Sequence, residues 1–153
     1  MDIKLLYYKK LEGNILPVDY VEWAYKMLDN EFSSPAVNFL AALEEPLNIF
    51  EVEQFFKRAL NELKLTEPSY EESVEFYVQH LLQQIILDAN NAINIGYEIY
   101  QVIREHFANE KVGIWYEISE MIDDFQYGDN VKSITQDFLI RFIVQEAKNQ
   151  LEK

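Results

Sequence analysis

The stretch NIFEVEQFFKRALNELK, residues 48–64, sets the fold class. Ile49, Val52, Phe56, Ala59, Leu60 and Leu63 recur at steps of three and four, the spacing of one face of an α-helix, and Phe55 widens the stripe. Glu51, Lys57, Arg58, Glu62 and Lys64 occupy the remaining arc. Asn48 with Glu51 three residues on resembles a capping box in which Asn replaces Ser or Thr. Thr66, Glu67 and Pro68 break the pattern.

The same punctuation extends outward. Toward the N-terminus, Pro46 closes a short helix that begins at Ala36, with Ser34 as N-cap and Pro35 at the first helical position. Val37, Leu40 and Ala41 form its apolar side, joined by Leu43. Pro17 opens an earlier helix to about Asn30, with Val18, Val21, Ala24, Tyr25 and Leu28 expected inside. Residues 2–12 fit a short first helix, capped by Asp2 and stopped by Gly13.

Toward the C-terminus, Ser69 with Glu72 is a capping box of the usual kind. It starts a helix to about Asp88 that buries Val74, Tyr77, Val78, Leu81, Leu82, Ile85 and Ile86. Apolar residues cover more than half its circumference, which makes it the expected central helix. Asn90 and Asn91 mark a break. Ile93–Phe107 follows, with Gly96 inside it. A mid-helix glycine costs about 1 kcal/mol against alanine, so close helix packing is the expected reason for it. Asn109–Gly113 reads as a turn, and Ile114 to about Tyr127 as an acidic helix closed by Gly128. A last helix from about Ser133 to Leu151, capped by Ser133 with Gln136, turns Ile134, Phe138, Phe142, Ile143, Ala147 and Leu151 inward. The expectation is an all-α protein: a compact single domain over residues 1–153, a bundle of six to seven helices with short connections. The helix pair near residues 35–64 is compatible with a HEAT-like hairpin.

Composition bounds the function. The formal charge is −14, yet residues 1–13 and 130–153 each carry +1, so residues 14–129 hold −16. Two acidic runs dominate, Glu44–Glu75 and Glu110–Asp129. Such a surface repels nucleic acid and attracts basic proteins. The only basic cluster, Lys9 and Lys10 with Lys4 nearby, is too small for a nucleic-acid stripe. Cysteine is absent, which removes disulfides, thiolate metal sites and cysteine nucleophiles and suits a cytoplasmic location. The N-terminal residues lack the continuous apolar core of a signal peptide, and the longest greasy stretches, Leu81–Leu87 and Phe138–Val144, are too short and interrupted to cross a membrane.

The common catalytic patterns are missing. A di-metal bundle needs Glu-x-x-His pairs, but Tyr77 and Ile103 stand three residues before His80 and His106. Gly13, Gly96, Gly113 and Gly128 are isolated, so no glycine-rich phosphate cradle forms. Asp123, Asp124, Asp129 and Asp137 have the wrong spacing for a calcium loop. No cofactor and no metal is expected, and no enzymatic activity.

What remains is charge with aromatics. Glu117, Glu120 and Asp124 share a helix face, with Asp123 beside them, and no Lys or Arg lies between Lys111 and Lys132. Tyr116 and Tyr127 interleave with them, as does Phe125. A second cluster, Glu71, Glu72 and Glu75, follows Tyr70. The bland reading is that these acids are solvated, that first-turn acids complement the helix dipole and that the aromatics are core. The functional reading is a binding face for a basic protein, in which aromatics anchor and acids steer.

The stretch from Tyr20-Val21-Glu22-Trp23-Ala24 through Phe39-Leu40-Ala41-Ala42-Leu43 to Phe50-Glu51-Val52-Glu53 resembles the small, acidic, helical immunity proteins of bacterial toxin systems. That resemblance implies a non-catalytic protein that neutralises a basic toxin domain by covering its active site. It transfers no binding residue. Two other readings stay open: a small helical enzyme or ligand binder with a pocket near His80 and Tyr77, and a nucleic-acid mimic with carboxylates spaced like phosphates.

Overall fold

The computed structural model describes residues 2–107 and 112–153. The protein is all-helical, 74% of it in helix, and eight α-helices lie among the described residues: α1 (Ile3–Leu11), α2 (Pro17–Asp29), α3 (Pro35–Ala42), α4 (Ile49–Glu62), α5 (Tyr70–Leu87), α6 (Ala92–His106), α7 (Ile114–Gln126) and α8 (Gln136–Leu151). A single 3₁₀ turn, Ala89–Asn91, makes the break at the paired asparagines. The turn expected at Asn109–Gly113 falls largely outside the described residues.

The chain divides into two compact units, residues 1–73 and 74–153, and the division falls within α5. In the first unit α2, α3 and α4 pack on one another and α1 packs on α2. Its core is organised around Phe56 of α4. The Phe56 ring lies 4.9 Å from Tyr20, 4.8 Å edge-on from Trp23 and 6.1 Å from Tyr7. Offset and edge contacts of this kind add about 0.5–1.5 kcal/mol per pair to the burial itself. They also correct the phase expected for α2. Tyr20 and Trp23 are buried, whereas Val18 and Tyr25 are exposed. Val21 and Ala24 are buried as expected, and the Tyr20 and Trp23 rings beside them reach Phe56.

Helix ends in this unit are capped by side chains near and far. Asp2 accepts from Lys4 N at 2.8 Å, and Gly13 takes φ +71°, the left-handed region in which glycine is strain-free. Ser34 Oγ accepts from Val37 N, while Glu62 of α4 accepts from Ala36 N at 2.8 Å. Buried Asp19 accepts from Leu16 N at 2.8 Å and pairs with Lys9 at 3.2 Å, joining α2 to α1. Tyr20 donates to Glu53 at 3.2 Å. Burial, then the Glu53 carboxylate, pushes the Tyr20 hydroxyl above its ordinary value. Its neutral form is favoured by folding, so this stabilisation is complete below about pH 10 and is lost as the pH rises further.

In the second unit α6, α7 and α8 pack on one another, and α8 also meets the 3₁₀ turn. Ile99, Ile118, Ile122, Leu139, Ile143 and Ala147 are fully buried, as are Val74, Leu82 and Ile85 of α5. Gly96 explains itself here. A Cβ on it would lie 3.3 Å from Ile143 Cγ2 and 3.7 Å from Trp115 Cζ3, so the bare backbone of α6 meets α7 and α8 directly. Trp115 is buried and donates its indole N–H to Gln150 at 3.3 Å. The start of α8 differs from the sequence expectation. Thr135, not Ser133, is the N-cap and accepts from Phe138 N at 3.1 Å. Ser133 takes φ +52° in the preceding loop. Leu139 replaces Phe138 inside, and Phe138 and Ile86 are exposed. Gly128 has an ordinary φ; a Cβ there would lie 3.1 Å from the Asp124 backbone, so it serves close approach after α7.

Two substitutions test this packing. Leu81→Ala should lose about 2–5 kcal/mol in denaturant titration, the range for a buried leucine; a loss below about 0.5 kcal/mol would put Leu81 on the surface. Gly96→Leu should lose about 1–3 kcal/mol by overpacking, and a variant more stable than the parent would contradict the α6 contact with Ile143 and Trp115.

Candidate functional site

On α7 the buried side is Trp115, Ile118, Ser119 and Ile122. Ser119 is satisfied by donating to the Tyr116 carbonyl at 2.6 Å. At about 100° per residue, Asp123, Tyr116, Glu120, Asp124 and Glu117 fall in that order across a single arc of about 120° beside this buried side, and Tyr127 follows as the C-cap residue. The five residues proposed on α7 therefore share one face, with Tyr127 just past its C-terminal end. Glu117, Glu120 and Asp124 are exposed and Asp123 is half-buried. Tyr116 is 53% exposed and Tyr127 84% exposed.

The seam between α6 and α7 adds two residues that sequence reasoning missed. Tyr97 and Tyr100 of α6 meet edge to face at 5.9 Å, and Tyr100 lies 6.3 Å from Tyr116. A continuous line of three rings thus crosses from α6 to α7. The helices run antiparallel here, because Arg104, Tyr100, Tyr97 and Asn94 face successively later residues of α7. Two clefts flank the tyrosine line. One, of about 450 Å³, is lined by Tyr100, Arg104, Val112, Gly113 and Tyr116. The other, of about 270 Å³, includes Asn94, Tyr97, Asp123, Gln126 and Tyr127. The signal for Tyr97 and Tyr100 was present in the sequence as an i, i+3, i+7 row with Arg104, next to the buried Ile99, Val102 and Ile103.

The electrostatics separate the two acidic clusters. Glu71 and Glu72 lie in the first turn of α5 and Glu75 one turn later, all exposed. Ser69 Oγ accepts from Glu72 N at 3.1 Å. The first-turn Glu71 and Glu72 complement the positive end of the helix dipole, so stability alone accounts for those two. Asp123 and Asp124 lie in the last turn of α7, where the dipole is negative, and that turn carries no basic residue. Among the described residues, Glu117, Glu120, Asp123 and Asp124 form no ion pair. Four carboxylates on 13 residues repel one another, and two of them oppose the dipole as well.

Around His80, the Tyr77 hydroxyl donates to Glu98 of α6, and the Tyr77 ring stacks on His80 at 6.2 Å. His106 Nε2 stands 3.9 Å from Glu105 at the end of α6, where a cationic imidazole complements the helix C-terminus. No helix among the described residues is long and apolar enough to cross a membrane. No family model, curated protein or solved structure matches the chain.

Because Asp124 is exposed, unpaired and at the negative end of α7, Asp124→Asn should stabilise the protein by about 0.3–1 kcal/mol. Thermal or denaturant unfolding checks this; a loss of similar size would mean that Asp124 supports the fold.

Proposed function

We propose that this chain is a protein-binding module whose α6–α7 face docks on a basic protein, acting as an immunity protein that covers the active site of a toxin domain. The observation that supports it is the convergence, on one face, of four unpaired carboxylates with Tyr97, Tyr100, Tyr116 and Tyr127. Each component has a role in such an interface. Tyrosine supplies large amphipathic contact area at low entropic cost and is enriched among residues that dominate binding energy. Carboxylates of one sign raise the encounter rate with a basic partner and discriminate against acidic ones. Natural selection tolerates unfavourable charge placement where function uses it, because stabilising alternatives are otherwise easy to reach. The reading fits the overall charge of −14 and the resemblance of residues 20–53 to helical immunity proteins.

The proposed mechanism uses this face in two steps. A cationic active-site surface approaches along the field of Glu117, Glu120, Asp123 and Asp124. The tyrosine line then excludes water from the centre of the contact, and the exposed Tyr127 and Tyr116 enter the partner's pockets. Occlusion requires no chemistry from the module.

The test is association kinetics with a candidate basic toxin domain, at low and high salt. Glu117→Gln/Glu120→Gln/Asp124→Asn should lower the association rate and flatten its salt dependence, because rim charges steer encounter. Tyr127→Ala or Tyr116→Ala should act on dissociation, losing about 2 kcal/mol or more if the ring is a buried anchor. An unchanged association rate and salt slope in the triple variant would exclude this face, and Glu71, Glu72 and Glu75 would be tested next.

A further inference from the structure

Met121, one turn beyond Glu117 on α7, borders a second feature. An open cavity of about 560 Å³ lies between α7, the loop that precedes α8 and the first turns of α8. Its apolar lining is Met121, Ile134 and Phe138, and its charged lining is Lys132 and Arg141. The volume falls in the range of about 300–1,000 Å³ common for small-molecule sites.

The charge distribution makes this cavity informative. Residues 112–153 contain four basic residues, Lys132, Arg141, Lys148 and Lys153, and two of them line it. Among the described residues, no carboxylate lines it, in a protein of charge −14. The remaining lining residues, Ser133 and Thr135, are neutral. The loop wall is pinned. Asn130 Nδ2 donates to the Ile134 carbonyl at 3.0 Å, and Asn130 Oδ1 accepts from Ile134 N at 2.9 Å. Asn130 and Ser133 both take positive φ, which folds the loop so that Lys132 and Ile134 reach the same cavity. Phe138, the expected core residue that is instead 46% exposed, supplies part of the apolar lining.

We infer that this cavity binds a small amphipathic monocarboxylate, an apolar body with a single acidic head, of the chemical class of a medium-chain fatty acid. The Arg141 fork suits a carboxylate and Lys132 adds a mobile point charge. The apolar body covers Met121 and Phe138, which otherwise face water. A cation is repelled by the two basic groups, and a neutral amphiphile leaves them unused. This site is independent of the α6–α7 face, and its test does not rely on that reading.

Decanoate is the probe, titrated below its micellar range into protein carrying a labelled Met121 methyl group, with decanol as the uncharged control. The expected result is a saturable shift of the Met121 methyl signal with decanoate. Binding should weaken on the order of tenfold or more in Lys132→Gln/Arg141→Gln and likewise with decanol. Phe138→Ser, which removes the apolar wall but leaves both charges, should weaken it as well. All three substituted residues are exposed, so circular dichroism should show the helix content of the parent. A linear, non-saturating response would overturn the inference. So would equal affinity for decanoate and decanol, or parent-like affinity in the charge-neutralised variant.

Discussion

The close approach of α6 to α7 and α8 at Gly96 is the contact on which the second unit and the candidate face depend. A Cβ there would press on Ile143 Cγ2 and come into contact with the Trp115 ring. With hydrogen alone, α6 settles against both neighbours, and the two tyrosines that follow the glycine come into line with Tyr116. The helix carries a residue that lowers its intrinsic propensity by about 1 kcal/mol. What it gains is the packing of Ile99, Ile118, Ile122 and Ile143, all fully buried. Interior packing and surface pattern therefore have one origin. The same short distance that buries isoleucines below the seam aligns phenol rings above it.

Charge placement follows a different logic from packing. In the first unit, charged groups are put to structural use: Asp19 pairs with Lys9 and holds the start of α2, and Glu62 holds the start of α3. On α7 the acids neither pair nor cap, and two stand at the end of the helix that disfavours them. Asp123 and Asp124, set against the dipole of their own helix, distinguish the α7 face from the first-turn acids of α5. The first-turn acids of α5 belong with the structural group.

Much of the architecture was legible because helix signals here are local. Ser34 with Pro35, Asn48, Ser69 and Asp2 mark helix starts where the structure places them, since a cap is a bond between residues two or three apart. The stripe of α4 held for the same reason, its amphipathicity being clear in its own sequence. The phase of α2 was not legible. Choosing Tyr20 and Trp23 over Val18 and Tyr25 depends on Phe56, more than thirty residues away. Nor was the start of α8, where Ser133 and Thr135 are both plausible caps in isolation. Asn130 decides between them by tying the loop to Ile134. The five α7 residues of the candidate face were readable from helical spacing, but Tyr97 and Tyr100 became part of it only through contact between two helices.

The most direct measurement of the central claim is amide hydrogen exchange of this protein, alone and bound to a candidate basic toxin domain. The account predicts that binding slows exchange most strongly in α7 and in the Tyr97–Arg104 stretch of α6, with the first unit unchanged. Slowing confined to residues 2–73, with the α7 amides unaffected, would contradict it.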